Sequence, residues 1–230
     1  MDLVQSRDIP DQVKREARQR CGFGCVVCGT PLYEYEHMLG FANVRRHRPD
    51  EITLLCDRHH RERTAGLLPV EAVIKANGAP YNLRAGASKP YDLHYSGSEC
   101  EAIIGGNRFT TSDAGEGTVM IPVSVDGRPL IYFVLSNGHI LLNVDVCDQR
   151  NRQMLLIHNN ELVYSTSPWD IELVGRRLVV REALGRFLID MVFEVPNKIV
   201  IERGKLFFNG VQILIRRNHI LIENNETTIR

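Results

Sequence analysis

Two short ligand pairs constrain this chain more than any other feature. Cys25-Val26-Val27-Cys28 is the first, and Cys56-Asp57-Arg58-His59 is the second. A zinc ion takes four thiolate or imidazole ligands in a tetrahedron at about 2.0–2.3 Å, and paired knuckles around a hairpin-sized insert supply them. Such an insert cannot bury enough apolar surface by itself, so metal has to substitute for core. Gly22 and Gly24 permit the tight backbone that the first knuckle needs. The spacing therefore predicts a structural zinc site of Cys25, Cys28, Cys56 and His59. The competing reading, four packed residues meeting by coincidence, requires both pairs to fall in phase with a strand-to-helix turn by chance.

Charge narrows the function classes. Lys plus Arg number 28 and Asp plus Glu number 28, so the formal charge is zero and no global basic field announces a nucleic-acid binder. Any such contact must come from local placement. Met1–Pro10 carries Asp2, Arg7 and Asp8 and no apolar core, so no secretory leader is expected. No apolar run approaches the ~20 residues that span a bilayer. The expected setting is cytoplasmic and away from membranes, and Cys21, Cys100 and Cys147 read as packed, reduced thiols.

Hydrophobic periodicity and turn residues predict the elements. A helix is expected from Asp11, capped by Asp8 or Asp11, with Lys14, Arg15, Arg18 and Arg20 forming either a solvated basic face or a phosphate-contacting flank. Strands are expected at Leu32–His37 and Ile52–Leu55 around a polar, Arg-rich loop. Helices should follow at Asp57–Thr64 and from Leu68 to Gly78. Residues 79–98 hold Pro80, Gly86, Ser88, Pro90, Ser96 and Gly97 and read as a linker. Beyond them, short apolar runs are cut by Asp126-Gly127, Asn137-Gly138, Asn159-Asn160, Asn209-Gly210 and Asn218-His219, residues that two-residue hairpin turns favour. Ile140–Val146 and Phe187–Val195 alternate at period two, the mark of strands with one buried face.

The expected class is thus α+β: a small zinc-bound ββα module at 1–78, a linker at 79–98 and an all-β domain at 99–230. An antiparallel sandwich or barrel is favoured for the latter. A β-solenoid is the alternative, because the apolar runs starting at Ile199, Leu206, Ile213 and Ile220 repeat every seven residues.

His59 and His60 are adjacent on a helix, so their side chains diverge by about 100°. If His59 serves the zinc site, His60 faces the strand carrying Glu36 and His37. One carboxylate and two histidines suit a divalent cation with a general base. The plainer alternative is a set of polar residues beside a knuckle.

The run Cys25-x2-Cys28, Tyr35-Glu36-His37, Ile52-Thr53-Leu54-Leu55-Cys56-x2-His59-His60-x3-Thr64 resembles the HNH endonuclease motif in its zinc-stapled form, over about residues 8–78. The resemblance implies a ββα-metal fold and metal-dependent hydrolysis of phosphodiester bonds in nucleic acid, DNA foremost. It makes His37 the general base, and Glu36 and His60 ligands of Mg²⁺ or another divalent cation. Two positions depart from the motif. Glu51 stands where an Asn braces the loop carrying the base, and Met38-Leu39-Gly40 replaces a usual Pro. The alternative is therefore a catalytically impaired, zinc-stabilised module that binds nucleic acid or protein.

Arg45, Arg46, Arg48, Arg58, Arg61 and Arg63 surround the proposed site, and guanidinium forks suit phosphate oxygens. Asp50, Glu51, Asp57 and Glu62, interspersed among them, are available to pair with them instead. His47 reads as an exposed loop histidine, with a part in the second site as the alternative. The β domain shows no catalytic constellation; recognition, sensing and assembly, including homo-oligomer formation, are the roles open to it. Its final strand ends Glu223-Asn224-Asn225-Glu226, polar residues that discourage edge pairing.

Overall fold

The computed structural model of the chain describes residues 8–115 and 117–224; Asn225 and Glu226, the end of the expected last strand, lie outside them. Strand takes 48% and helix 19% of the chain, so helices are the minor partner. The residues form two compact units, Met1–Lys89 with Asp170–Glu172, and Pro90–Trp169 with Leu173–Arg230.

In the first unit, α1 (Asp11–Cys21) stops where Gly22 turns left-handed at φ 70°. Pro10, rather than Asp8 or Asp11, occupies its N-cap. A two-stranded antiparallel sheet pairs β1 (Glu34–His37) with β2 (Ile52–Leu55), placing Glu36 opposite Thr53 and His37 opposite Ile52. The loop between them holds a one-turn helix, α2 (Phe41–Val44), and a 3-10 turn at Pro49–Glu51. Helix α3 (Asp57–Thr64) follows β2 directly with Cys56 as its N-cap, and α4 (Val70–Gly78) comes next. Cys21, Cys25, Val26, Met38, Leu54, Leu55, Cys56 and Val73 make up the core, which is small and rich in thiols.

The basic face expected on α1 is neither solvated nor aimed at phosphate throughout. Arg18 is 4% exposed. Its guanidinium donates in bidentate fashion to Asp170 at 2.8 Å and to the Tyr35 hydroxyl at 2.7 Å. Arg20 donates to the carbonyls of Pro49 and Ile52, which clamps the start of β2. Ala17, Arg18 and Cys21 share the buried face, where Arg18 meets its carboxylate partner, whereas Lys14 pairs with the exposed Asp11.

The stretch predicted as linker is also folded. Helix α5 (Tyr81–Ala85) lies inside it, and Asn82 is buried, its side-chain amide donating to the Gly22 carbonyl at 2.9 Å. Tyr81 N–H donates to Val26 O at 3.0 Å and Lys89 N–H to Gly29 O at 3.1 Å, so this segment belongs to the knuckle. Gly29 sits at φ +77°, and a Cβ there would meet Asn82 Oδ1 and Tyr81 Cδ1 at 2.4 Å. Gly29→Ala is expected to cost on the order of 2–4 kcal/mol from overpacking and left-handed strain, read as a lower midpoint for the N-terminal unit in chemical denaturation. An unchanged midpoint would show that α5 is not held on the knuckle.

The second unit is built from hairpins. Its strands are β3 (Tyr91–Asp92), β4 (Glu99–Ile104), β5 (Asn107–Ser112), β6 (Thr118–Val125), β7 (Arg128–Ser136), β8 (His139–Cys147), β9 (Gln153–His158) and β10 (Glu161–Tyr164). They continue as β11 (Asp170–Val174), whose residues Asp170–Glu172 count with the first unit, β12 (Arg177–Ala183), β13 (Arg186–Glu194), β14 (Lys198–Phe208), β15 (Val211–Arg216) and β16 (His219–Asn224). One sheet has the order β3-β10-β9-β8-β7-β6. The other runs β11-β12-β13-β14-β15-β16, with β4 on β14 and β5 on β4. Neither closes on itself, so the expected barrel does not form. Consecutive strands pair antiparallel, so the solenoid does not form either.

Four of the five predicted turn pairs have positive φ at both residues, for example 52° and 76° at Asn137-Gly138, the conformation that matches strand twist in two-residue hairpins. The fifth differs: Arg216 pairs with His219, so the turn is Arg217-Asn218 and His219 begins β16. The seven-residue repeat does not mark one strand per run, since Ile199 and Leu206 both lie in β14. The first half of that strand takes β4 in parallel at Lys198–Ile201, and the second half takes β15.

Two strands expected to bury one face bury both. Asn143, Asp145 and Asp190 are all buried. Asp190 receives Arg177 at 2.7 Å and Arg203 at 2.6 Å, and Asp145 receives Arg128 and the Gln153 amide. Arginine forks and an amide cover these carboxylates and leave them paired rather than solvated.

Candidate metal centre and adjoining histidine site

The knuckle turn is closed by Gly29 N–H to Cys25 O at 2.7 Å and pinned to the free edge of β2 by Val26 N–H to Leu54 O at 3.0 Å. Cys56 ends β2 and caps α3, which brings His59 one helical turn later to the same spot. Ligand atoms of Cys25, Cys28, Cys56 and His59 all lie within 4.8 Å of one another. Nδ1 of His59 is 3.3 Å from Cys25 Sγ and 3.2 Å from Cys56 Sγ, and Cys28 Sγ is 3.7 Å from Cys56 Sγ. A zinc tetrahedron has edges of about 3.5–3.8 Å, so the cluster is fit to bind a metal ion and consistent with structural zinc.

The protonation pattern makes the same point. A hydrogen bond from Cys25 pushes the Cys28 thiol down to about 4, and that same bond holds the Cys25 proton above the usual thiol range. Burial raises Cys56. Three sulfurs this close cannot all ionise unless a cation neutralises them. On the outer side, Glu62 Oε2 stands 4.0 Å from His59 Nε2, where a carboxylate orients a metal-bound imidazole.

His60 points the other way. Its Nε2 lies 3.1 Å from Glu36 Oε2, and its Nδ1 lies 3.6 Å from Glu34 Oε2. Glu34 and Glu36 share a face of β1 because side chains alternate along a strand. Thr64, one turn beyond His60, donates its hydroxyl to the His60 carbonyl at 3.0 Å.

His37, at the end of β1, is buried. Its Nε2 is 3.1 Å from His47 Nδ1 and its ring hydrogen-bonds the Arg46 backbone, while Phe41 stacks on His47 and meets His37 at a tilt, each at 5.1 Å. His47 is therefore a neighbour of His37 rather than an isolated loop histidine. Burial, then the proximity of His47, lowers the His37 pKa below its ordinary value. The Glu36–His60 pair and the His37–His47 pair are two adjoining clusters. Among the described residues, no group of three ligand atoms gathers around them as it does in the Cys/His cluster.

Glu51 braces the loop between β1 and β2. It accepts from Arg46 Nε at 3.1 and 3.0 Å, and its own carbonyl accepts from Met38 N–H at 3.0 Å. Arg46 in turn holds the Glu51 carboxyl below its ordinary range.

The arginines are committed locally. Arg46 pairs with Glu51, Arg48 with Asp50 at 3.0 Å, Arg58 with Glu62 at 2.9 Å and Arg61 with Asp57 at 2.8 Å. Arg63 donates to the Met38 carbonyl at 3.2 Å, and Arg45 takes the left-handed C-cap of α2 with none of these pairings. Sequence reasoning missed the partners of Arg18 and Arg20, and the parts played by Asn82 and Glu34. Only Glu34, two residues before Glu36 on a predicted strand, left a signal that could have found it.

No protein-family model, curated protein or solved structure gives a significant match to this chain. No helix among the described residues is long and apolar enough to cross a membrane.

Proposed function

We propose that the N-terminal unit is a zinc-stapled ββα-metal module of the HNH type that hydrolyses phosphodiester bonds in DNA, with the β-rich unit serving recognition, sensing or assembly. The observation that carries this reading is the division of labour between His59 and His60. One helix, anchored by its first turn in the Cys/His cluster, holds the second imidazole 3.1 Å from a strand carboxylate next to a buried histidine. Thiolates and an imidazole in this geometry favour zinc over harder cations.

Glu36 and His60 are the residues that would hold a catalytic Mg²⁺ or similar ion, leaving its other positions open to water and phosphate. Such an ion stabilises charge on the scissile phosphate and the leaving oxygen. His37 takes the proton of the attacking water at Nε2, once His47 has moved off that nitrogen. Burial supports this role, because it keeps His37 neutral at neutral pH. The Arg48–Asp50, Arg58–Glu62 and Arg61–Asp57 pairs lie at the surface, where solvent and salt screen them, so phosphate oxygens can displace the carboxylates. The test is incubation of the full chain with supercoiled plasmid or single-stranded DNA and Mg²⁺, Mn²⁺ or Ni²⁺. Absence of nicking with every ion overturns the enzymatic reading.

One observation favours a second reading, a binding module without turnover. His37 Nε2 is occupied by His47, and each ring nitrogen of His60 faces a carboxylate. That reading requires DNA binding that weakens steeply with salt and no cleavage under any ion.

A further inference from the structure

We infer that the free edge of β16 is a homodimerisation surface, on which two copies of the chain pair their last strands antiparallel about a two-fold axis at Leu221. Among the described residues β16 pairs only with β15, so its other edge is open. The two-residue turn Arg217-Asn218 makes Arg216 and His219 the hydrogen-bonded closing pair. It follows that His219, Leu221 and Glu223 address β15 with their backbone groups. Ile220 and Ile222 present theirs, N–H and C=O, at the open edge.

An axis at Leu221 uses those groups in register. Ile220 of one copy faces Ile222 of the other, and each such pair exchanges two backbone hydrogen bonds. His219 falls opposite Glu223, and Leu221 opposite its own copy. These are the pairs without backbone bonds, where side chains approach most closely, so the imidazole and the carboxylate meet on both sides of the axis. A parallel pairing would set His219 against His219 and Glu223 against Glu223. The strand is therefore self-complementary in one orientation only.

The side chains agree. Ile222 lies opposite Ile213 and shares its face of the sheet. Ile213 and Ile215 are buried, whereas Ile222 is 72% exposed, because the sheet ends there. A second β16 extends that inner face and covers it. The polar residues after Ile222 were expected to discourage edge pairing. Glu223 instead gives the pairing its direction, while its carboxylate also accepts from Gln212 at 2.6 Å.

Sedimentation equilibrium on the full chain should show a concentration-dependent dimer. Ile222→Pro should abolish it while leaving the β-sheet signal and melting of the unit unchanged, since the lost N–H faces outward and proline is tolerated on an edge. His219→Glu places two like-charge pairs across the axis and should weaken the dimer about tenfold. Adding Glu223→Lys to His219→Glu should restore it, which decides the matter even if the proline variant misfolds. A chain that stays monomeric throughout, or a dimer indifferent to both charge variants, overturns the inference.

Discussion

Stripping the metal from the purified chain is expected to unfold the N-terminal unit while the sheets of the β unit persist. The argument is one of scale. The core of that unit is Cys21, Cys25, Val26, Met38, Leu54, Leu55, Cys56 and Val73, with few large apolar side chains. Apparent zinc-binding free energies of about 10–16 kcal/mol exceed what such a core supplies, and whole domains are stable by only about 5–15 kcal/mol. Without a cation, Cys25 and Cys56 keep their protons against a Cys28 thiolate, and only weak thiol hydrogen bonds and the Val26–Leu54 backbone bond are left to hold β2, the knuckle and α3 together. Metal analysis should return one zinc per chain. Chelation, or Cys56→Ser, should remove the helical circular-dichroism signal and open residues between 8 and 89 to protease. A chelated chain that keeps that signal and its protection would show the cluster to be packing rather than a staple.

His37→Ala carries the second large effect. Loss of a positioned general base costs typically 10²–10⁴-fold in rate, so nicking should fall by that factor while the zinc content stays at one per chain. The pH dependence follows from the same side chain. Burial, with His47 next, holds the His37 pKa below the ordinary value of about 6.5. The base acts neutral, so activity is lost as pH falls through the folded pKa, and the acid limb of kcat/KM should lie below 6.5. His47→Ala removes a neighbour that lowers the His37 pKa and opens the ring to water. Both raise the His37 pKa, so the acid limb should move to higher pH. An acid limb unmoved by His47→Ala would mean that some other group sets it.

Legibility in the sequence followed the range of each interaction. The four cluster ligands are within three residues of one another in pairs, and a three-residue step is one turn of helix or knuckle, so the arrangement within each pair is local geometry, while the Val26–Leu54 bond brings the two pairs together. The direction of His60 was equally legible, because neighbours on a helix diverge by a fixed angle. The type of most hairpin turns was written in Asn-Gly and Asp-Gly pairs, since those residues tolerate positive φ.

The partners that cross the chain were not legible. Nothing local says that Arg18 will find Asp170, that Asn82 will reach back to Gly22, or that β4 will pair in parallel with β14. Each depends on where separate elements come to rest. The same holds for the loop between β1 and β2. Glu51 read as a defect, because the motif's Asn donates and a carboxylate does not. Only folding the loop brings Arg46 round to supply the donor and sets its backbone against the His37 ring.

The sequence by itself determined the metal cluster, the presence of a β-rich C-terminal unit and the identity of the residues beside the knuckle. Ligand spacing, turn chemistry and helical phase act over a few residues and are fixed by covalent connection. The sequence also offered Asp50, Glu51, Asp57 and Glu62 as partners for the arginines beside them, a local pairing the structure shows. Tertiary structure alone decided that Arg18 meets Asp170 and that, among the described residues, the outer edge of β16 has no strand partner, because such partners are chosen by proximity in space.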